Sequence, residues 1–275
     1  MNLIALSGLS PQDIEAIWSL VSAPDHPMTG TVGWSFEGNG IRTRTTFIQA
    51  FRDLGLQFTE LPNLLKTQER VEDLAGYLDP FFSLYVIRES DHDRLEAFAR
   101  VSSRPVINAM SSAGHPCEVL TDAYFIDRSV KPLRDARVCL WGPTTNVFRS
   151  WHELARVLGV EVFQVCDERY HEVNSPVEFT ADLPGHVDVV ITDGWPSGIE
   201  GPPLSLTMDH LSQLGSPVLL PTPPFSIGRE LSLDPTNYPG FAGYDQKRLL
   251  LPVQKAILRY EGSAACQAAC AGGAF

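Results

Sequence analysis

A short basic stretch beside a flexible turn is the part of the sequence best suited to bind an anion. Gly38-Asn39-Gly40 leads into Arg42-Thr43-Arg44, and the apolar periodicity over 47–54 predicts that an amphipathic helix follows. Backbone N–H groups at a helix start carry the positive end of the dipole, and guanidinium and hydroxyl groups add strong donors. This pattern predicts a phosphate site. The alternative is a solvated turn in which Thr43 or Thr45 merely caps the helix.

Two more polar side chains follow predicted strands in the first half of the chain. Arg88 ends the apolar stretch 82–88, and His115 comes shortly after the strand predicted at 105–108. In open α/β sheets the carboxyl ends of the strands face the ligand crevice, so both residues are candidates to join the basic stretch. The alternative for His115 is a structural hydrogen bond at the start of the next helix.

The second half of the chain also places polar residues where predicted strands end. Asn146 and Asp193 follow two such strands, and Thr222 follows a third, in a proline-rich turn with a predicted cis bond before Pro224. The stretch 194–203 is rich in Gly and Pro, and is either a mobile lid or a plain surface loop. These residues are candidates for a second binding region.

The order of the predicted elements indicates an α/β protein with mainly parallel sheets flanked by helices. A charged break at 131–135 separates two runs of strands and helices. We therefore predict domains at 1–128 and 129–245, a closing helix at 246–260 and a flexible tail at 261–275. The second run resembles the opening of a dinucleotide fold and Asp167 ends its second strand, but no Gly-x-Gly-x-x-Gly is present, which argues against a nicotinamide cofactor.

Composition restricts the partners and the compartment. The 275 residues carry a net charge of −12, which argues against nucleic acid or an anionic membrane as the main partner. The chain has no run of about 18 apolar residues and no convincing signal peptide. Five cysteines fit a reducing cytosol, so we predict a cytoplasmic protein. Cys266 and Cys270 have the spacing of a soft-metal pair, but no third ligand is nearby and we predict no metal.

Taken together, these motifs resemble the aspartate/ornithine carbamoyltransferase family, and the ornithine branch more closely. The resemblance runs from about residue 36 to 258. Three segments match family signatures: Gly40-Ile41-Arg42-Thr43-Arg44 for Ser-x-Arg-Thr-Arg, His115-Pro116-Cys117-Glu118 for His-Pro-x-Gln, and Asp193-Gly194-Trp195-Pro196-Ser197-Gly198 for Asp-x-Trp-x-Ser-Met-Gly. Three single residues match further positions, namely Arg88, Asn146 and Arg248.

The resemblance implies two domains with an active-site cleft between them and a closing helix that packs back onto the first domain. It implies that carbamoyl phosphate is bound without a metal or organic cofactor, by Gly40, Ile41, Arg42, Thr43, Arg88, His115, Glu118 and Arg248. Within that set the implied catalytic residues are Arg88, His115 and Arg248. A neutral amine would attack the carbamoyl carbon, and phosphate would leave.

For the acceptor, the resemblance implies a site in the second domain formed by Asn146, Asp193, Ser197, Gly198 and Thr222. It also implies a homotrimer in which a loop of a neighbouring subunit completes each site. That loop would lie at 63–70, where Lys66 or Arg70 would reach across, although the family's Lys-Gly-Glu pattern is not reproduced.

Four departures from the family pattern bear on the reaction. Gly40 replaces a serine that donates to phosphate, and Glu118 replaces a glutamine, so the ionised side chain offers only acceptors. Thr222 stands where the ornithine branch has the cysteine of His-Cys-Leu-Pro, and Gly198 replaces a methionine. We therefore expect an acceptor other than ornithine.

Three hypotheses follow. The first is a carbamoyltransferase of amino-acid metabolism with a non-standard amine acceptor. The second keeps the fold but uses a different acyl or amidino donor, or a phosphorylated ligand. The third is a non-catalytic relative that acts as a binding or assembly subunit.

Overall fold

The computed structural model describes residues 2–196, 198–199 and 205–272, with side chains as far as residue 263. The chain divides into two compact units. Unit 1 comprises Met1–Leu120 with Leu249–Phe275, and unit 2 comprises Thr121–Arg248. The division falls inside the helix Pro116–Ser129, and the domain boundary predicted at residue 128 lies near the end of that helix.

Strands and helices alternate along the described chain. The strands are β1 (Thr31–Phe36), β2 (Gln57–Glu60), β3 (Leu84–Glu89), β4 (Val106–Ser111), β5 (Val138–Trp141), β6 (Val162–Val165), β7 (Glu178–Thr180), β8 (Val189–Thr192) and β9 (Val218–Pro221). The helices are α1 (Pro11–Val21), α2 (Ile41–Asp53), α3 (Val71–Leu78), α4 (His92–Val101), α5 (Pro116–Ser129), α6 (Asn146–Leu158), α7 (Met208–Gln213), α8 (Gly243–Arg248) and α9 (Leu250–Gly272).

Unit 1 is built on a parallel sheet with the strand order β2-β1-β3-β4. Strand β1 lies centrally, and its aromatic side chains pack on α2: Trp34 stacks on Phe36 at 4.9 Å and meets Phe51 edge-on at 5.5 Å. Helix α9 packs against α1 and α2. The aromatic packing ties α2 to β1, and so fixes the turn between them.

Unit 2 is built on a second parallel sheet, with the order β7-β6-β5-β8-β9. The chain begins at the central β5, builds outward to β7, and then returns to add β8 and β9 on the other side. The carboxyl ends of β5 and β8 therefore form a topological switch point, which is where ligands bind in open α/β sheets.

The predicted α/β class with two mainly parallel sheets is confirmed. Three local differences stand out. The sequence pattern predicts a helix over 150–158, but α6 begins earlier, at Asn146, because the Thr145 side chain caps it by accepting from the Phe148 N–H. Two helices, α8 and α9, replace the single one predicted at 246–260, and α9 continues to Gly272. The three-residue strand β7 and the short helix α7 were not predicted.

None of the helices formed by the described residues is both long and apolar enough to cross a membrane. The cis peptide bond predicted before Pro224 is present.

Candidate active site

The basic stretch forms the amino-terminal turn of α2, as predicted. Gly38 has a φ of +69°, a conformation that favours glycine, and Gly40 caps the helix with φ −14° and ψ 55°. The first N–H groups of a helix have no partner within it, and they carry the positive end of its dipole. The Thr43 side chain in this turn is buried, whereas Ile41 and Arg42 are exposed. This turn provides the geometry of an anion cradle.

Arg88 lies against that turn. In the sheet register Arg88 of β3 neighbours Phe36 of β1, and its guanidinium carbon lies 5.2 Å from the centre of the Phe36 ring. A Cβ atom on Gly40 would lie only 2.8 Å from both the Arg88 Cζ and the Phe36 Cε1. The glycine at position 40 thus leaves the space that the Arg88 side chain occupies, and a serine there would have to displace it.

The charges around Arg88 favour a dianion. Burial lowers the pKa of the Arg88 guanidinium, Glu37 counteracts this effect, and Arg42 lowers the pKa further. Two guanidinium groups that repel each other are stabilised together by a doubly negative ligand. Neither Arg42 nor Arg88 belongs to an ion pair among the residues that the structure describes.

Arg44 does not share this role. Its guanidinium pairs with Glu60 at the end of β2, while its carbon lies 5.6 Å from the Phe36 ring centre. The resemblance assigned Arg42, and not Arg44, to the phosphate. The structure adds a difference between them: among the described residues Arg44 has an acidic partner, Glu60, and Arg42 has none.

His115 and Glu118 follow β4, which is the neighbour of the strand that carries Arg88. Both side chains are buried, with exposed fractions of 7% and 3%. The His115 carbonyl accepts from the N–H groups of Glu118 and Val119 at 3.1 and 3.2 Å, so His115 stands at the start of α5. The preceding turn is fixed by Ser111, whose hydroxyl contacts the Asn108 amide and the Gly114 N–H. This turn places the His115 side chain at the same edge of the sheet as Arg88.

The residues predicted to serve a neighbouring subunit contact groups of their own chain. Lys66 pairs with Glu37 at 3.3 Å and with Glu89. Arg70 is largely exposed and lies 3.6 Å from Glu72. Their predicted role across a subunit interface stays a prediction.

In unit 2, Asp193 lies at the switch point. It follows β8, and it is held by hydrogen bonds from the Thr145 side chain and from the Gly194 N–H, the latter at 2.9 Å. Burial raises the pKa of Asp193 to about 6 against these hydrogen bonds, and the charge of Glu230 adds to the rise. Thr145 also caps α6, so the same side chain positions Asp193 and the adjacent Asn146. This arrangement suits recognition of an ammonium or amine.

Thr222 and the segment after Asp193 meet at the same edge. The Thr222 N–H donates to the Thr192 carbonyl at 2.7 Å, which places it beside Asp193 in the neighbouring strand. A Cβ atom on Gly194 would lie 3.2 Å from the Pro224 carbonyl oxygen. The two turns therefore pack so closely that a larger residue at position 194 would need a shift of a few tenths of an ångström.

Two residues that sequence reasoning missed, Arg229 and Glu230, hold this region. The buried Glu230 carboxylate accepts from the Trp195 N–H at 3.1 Å and from the Ser226 N–H at 2.8 Å. Arg229 donates to the carbonyls of Trp195 and Pro196 at 3.1 and 3.0 Å. The contacts with Trp195 and Pro196 join segments more than 30 residues apart, and no local pattern in the sequence signals them.

The remaining predicted residues are placed as follows. Arg248 ends α8 with an 80% exposed side chain, 3.0 Å from Asp245. Gly198 is exposed with a φ of +85°. Ser197 and the side chains of Cys266 and Cys270 lie outside the described residues. Among the described residues, no group of three or more His, Cys, Asp or Glu side chains is placed to hold a metal ion.

A second buried acid, also missed, lies near Asp193. Asp122 of α5 accepts from the Gln246 amide at 2.6 Å. Burial raises the pKa of Asp122 to about 8, and the charge of Asp193 adds to the rise. Two interacting acids with raised pKa values thus lie within unit 2.

Comparisons with known proteins agree with this architecture. Residues 2–128 match the family model described as "Aspartate/ornithine carbamoyltransferase, carbamoyl-P binding domain". An ornithine carbamoyltransferase from Methanosphaera stadtmanae is 26% identical over 295 residues, which cover 94% of this chain and 97% of that protein. One from Caulobacter vibrioides is 31% identical over 178 residues, 59% of this chain and 57% of that protein.

A solved structure extends the likeness to three dimensions. The anabolic ornithine carbamoyltransferase from Campylobacter jejuni superimposes with a TM-score of 0.85 at 25% identity, covering 96% of this chain and 99% of that one. The chain thus has the two-sheet α/β fold of that protein. Residues 2–128 therefore match the carbamoyl-phosphate-binding domain of the aspartate/ornithine carbamoyltransferase family, and the chain as a whole is similar to proteins named ornithine carbamoyltransferase.

Proposed function

We propose that this protein transfers the carbamoyl group of carbamoyl phosphate to the amino group of an amino-acid-like acceptor. The observation that carries the proposal is the cradle of unit 1. There the Arg88 guanidinium lies against Gly40 at the start of α2, close enough to Arg42 for the two charges to interact. A cradle with two unneutralised guanidiniums suits the phosphate of the donor.

The donor half of the reaction would use unit 1. Arg42, Arg88 and the first-turn N–H groups hold the phosphate and stabilise the charge that grows on it as the C–O bond breaks. His115 and Thr43 polarise the carbamoyl oxygen, and Arg248 helps to neutralise the same charge. The attacking amine forms the new C–N bond and releases a proton, and phosphate leaves.

Glu118 would hold the carbamoyl nitrogen. Its side chain is buried and stands one turn into α5, near the start of the helix. As a carboxylate it accepts from the NH₂ group, and the positive end of the helix dipole offsets its charge. A Glu118→Gln variant restores the family residue, so we expect it to retain activity.

The acceptor half would use unit 2. Asp193 and Asn146 bind the acceptor amino group, and Gly198, Ser197 and Thr222 shape the site around the rest of the molecule. We propose an acceptor other than ornithine, because Thr222 and Gly198 replace a cysteine and a methionine of the ornithine branch. We further propose that the enzyme is a cytoplasmic homotrimer of two-domain subunits.

The test is phosphate release from carbamoyl phosphate across a panel of amines that includes ornithine and other diamino acids. We expect turnover with at least one amine, and a higher kcat/KM for it than for ornithine. Thermal shifts with carbamoyl phosphate, acetyl phosphate and inorganic phosphate identify the donor. No release with any amine and no stabilisation by carbamoyl phosphate would overturn the proposal; release fastest with ornithine would overturn only the acceptor assignment.

A further inference from the structure

Lys66 lies between two other segments of unit 1, the turn before α2 and the end of β3. It ends a short 3-10 helix, Leu64–Lys66, and its Nζ lies 3.3 Å from Glu37 Oε1 and 3.0 Å from Ser90 Oγ, and it also pairs with Glu89. Glu37 belongs to the turn before α2, whereas Glu89 is the last residue of β3 and Ser90 begins the turn that follows. Lys66 therefore joins the loop that carries Gly40 to the loop that follows Arg88.

We propose that Lys66 is a positioning residue that holds the Glu37 carboxylate away from the arginines of the cradle and so keeps the cradle open to phosphate. The inference rests on the proposed function, since it assigns a role at the donor site. It concerns Lys66 within its own chain, in contrast to a role across a subunit interface.

Glu37 is close enough to Arg88 to compete with an anion. Its backbone N–H donates to the Arg88 carbonyl at 2.9 Å, so the two residues are neighbours across the ends of β1 and β3. In the structure the Glu37 carboxylate turns instead toward the Ser90 N–H, at 2.6 Å, and toward Lys66. An ionised carboxylate so near would otherwise pair with Arg88 and repel a dianionic ligand.

Two carboxylates lie next to Lys66, so a cation is needed between them. Glu89 is buried and accepts from the Asp91 N–H at 2.9 Å, so two carboxylates, Glu37 and Glu89, share one lysine. The hydrogen bond to Glu89 raises the pKa of Lys66, and the Ser90 N–H lowers the pKa of Glu37. The Glu37 carboxylate also interacts electrostatically with the Arg88 guanidinium, so without Lys66 that guanidinium becomes its partner.

The same contacts reach the loop of His115. The Ser112 N–H donates to the Ser90 carbonyl at 3.3 Å, and His92 contacts the Ser111 hydroxyl at 2.8 Å. The turn after β3 is thus bonded on one side to Lys66 and Glu37, and on the other to the turn that leads to His115. Through these contacts Lys66 helps to position the turns that carry Arg88 and His115 at this edge of the sheet.

The experiment measures binding of inorganic phosphate by calorimetry, and kcat and KM for carbamoyl phosphate. We expect Lys66→Met to weaken phosphate binding and raise KM about tenfold, with a smaller change in kcat. Lys66→Met with Glu37→Gln should return the Kd to within about threefold of the original, because the competing charge is gone. Lys66→Arg should keep most of the affinity.

Two matched controls separate local from general charge effects. Lys131→Met removes a lysine of similar exposure that is paired with Asp188 in unit 2, and should leave the Kd unchanged. Lys66→Met with Glu72→Gln restores the net charge through an exposed acid, and should not restore the Kd. If Lys66→Met does not fold, Glu37→Gln alone still tests the inference, since it should bind phosphate at least as tightly as the original chain.

An unchanged Kd in Lys66→Met would overturn the inference. The inference would also be overturned if Lys66→Met weakened phosphate binding and the added Glu37→Gln did not restore it. Lys66 would then contact the anion itself, in its own or a neighbouring site. The proposed function is tested by a different measurement. No turnover in the unaltered protein would refute that function, whereas the phosphate Kd values would still decide the role of Lys66.

Discussion

Replacing Arg88 with methionine tests the cradle most specifically, because the structure predicts a large loss of ligand binding but only a small change in the free energy of unfolding. The methionine keeps much of the apolar stem that packs on Phe36 and removes only the guanidinium. In the ligand-free protein this group is half-buried, belongs to none of the described ion pairs, and interacts unfavourably with Arg42. Its removal should therefore change the free energy of unfolding by less than about 1 kcal/mol.

The loss of binding should be much larger. A hydrogen bond to a charged group contributes about 1.5–3 kcal/mol, which corresponds to a Kd for phosphate raised about 10- to 150-fold. The upper end applies if the guanidinium donates two bonds to the phosphate, as arginine commonly does. Relief of the repulsion with Arg42 reduces the loss, so we expect a value nearer the middle of the range.

Calorimetric titration with inorganic phosphate measures the affinity, and urea unfolding measures the stability. Arg44→Met is the comparison variant, since Arg44 lies over the same Phe36 ring but pairs with Glu60. It should raise the Kd less than about threefold. Equal losses in the two variants, or a Kd for Arg88→Met within twofold of the original, would refute the assignment of Arg88 to the phosphate.

Three further predictions concern other parts of the site. Because the pKa of Asp193 is raised to about 6, kcat/KM for the acceptor should fall as the pH drops through about 6, and Asp193→Asn should remove that limb from the pH–rate profile; a limb that survives the substitution contradicts the assignment. The pKa of Asp122 is raised to about 8, so between about pH 4 and pH 8 the folded protein keeps a proton that the unfolded chain has lost. As the pH rises through this range, the free energy of unfolding should fall by up to about 1.4 kcal/mol per pH unit. Urea unfolding at several pH values should show a shallower fall in Asp122→Asn, and an identical slope would contradict the burial effect. Gly40→Ser should displace Arg88 from Phe36 and weaken phosphate binding about two- to fivefold by calorimetry, whereas tighter binding would show that the hydroxyl compensates.

The general layout of the molecule was predictable because it depends on local periodicity. Alternating apolar strands and amphipathic helices led to the α/β class, and the glycine turn before α2 followed from Gly38 and Gly40. Strand β7 escaped prediction because it has only three residues, which is too short for a period-2 pattern to be recognised. The length of α9 was underestimated because Ala- and Gly-rich sequence after residue 261 carries little amphipathic signal.

Contacts between distant residues could not be predicted in the same way. The sequence shows that position 40 is a glycine, but only the structure shows that Arg88 occupies the space beside it. The support that Arg229 and Glu230 give to the loop after Asp193 depends on packing across more than 30 residues. Lys66 was predicted to reach into a neighbouring subunit from a loop that lacks the family's Lys-Gly-Glu pattern. Its contacts with Glu37 and Glu89 likewise appear only in three dimensions.

The most direct test of the central claim is to follow the carbamoyl carbon itself. The protein is incubated with ¹³C-labelled carbamoyl phosphate and the amine that best stimulates phosphate release, and the products are observed by NMR. We expect a new resonance of a carbamoyl group bonded to nitrogen, equimolar with the phosphate released, and its loss in Arg88→Met. Phosphate release without any carbamoylated amine would contradict the account, because the donor would then be hydrolysed and not transferred.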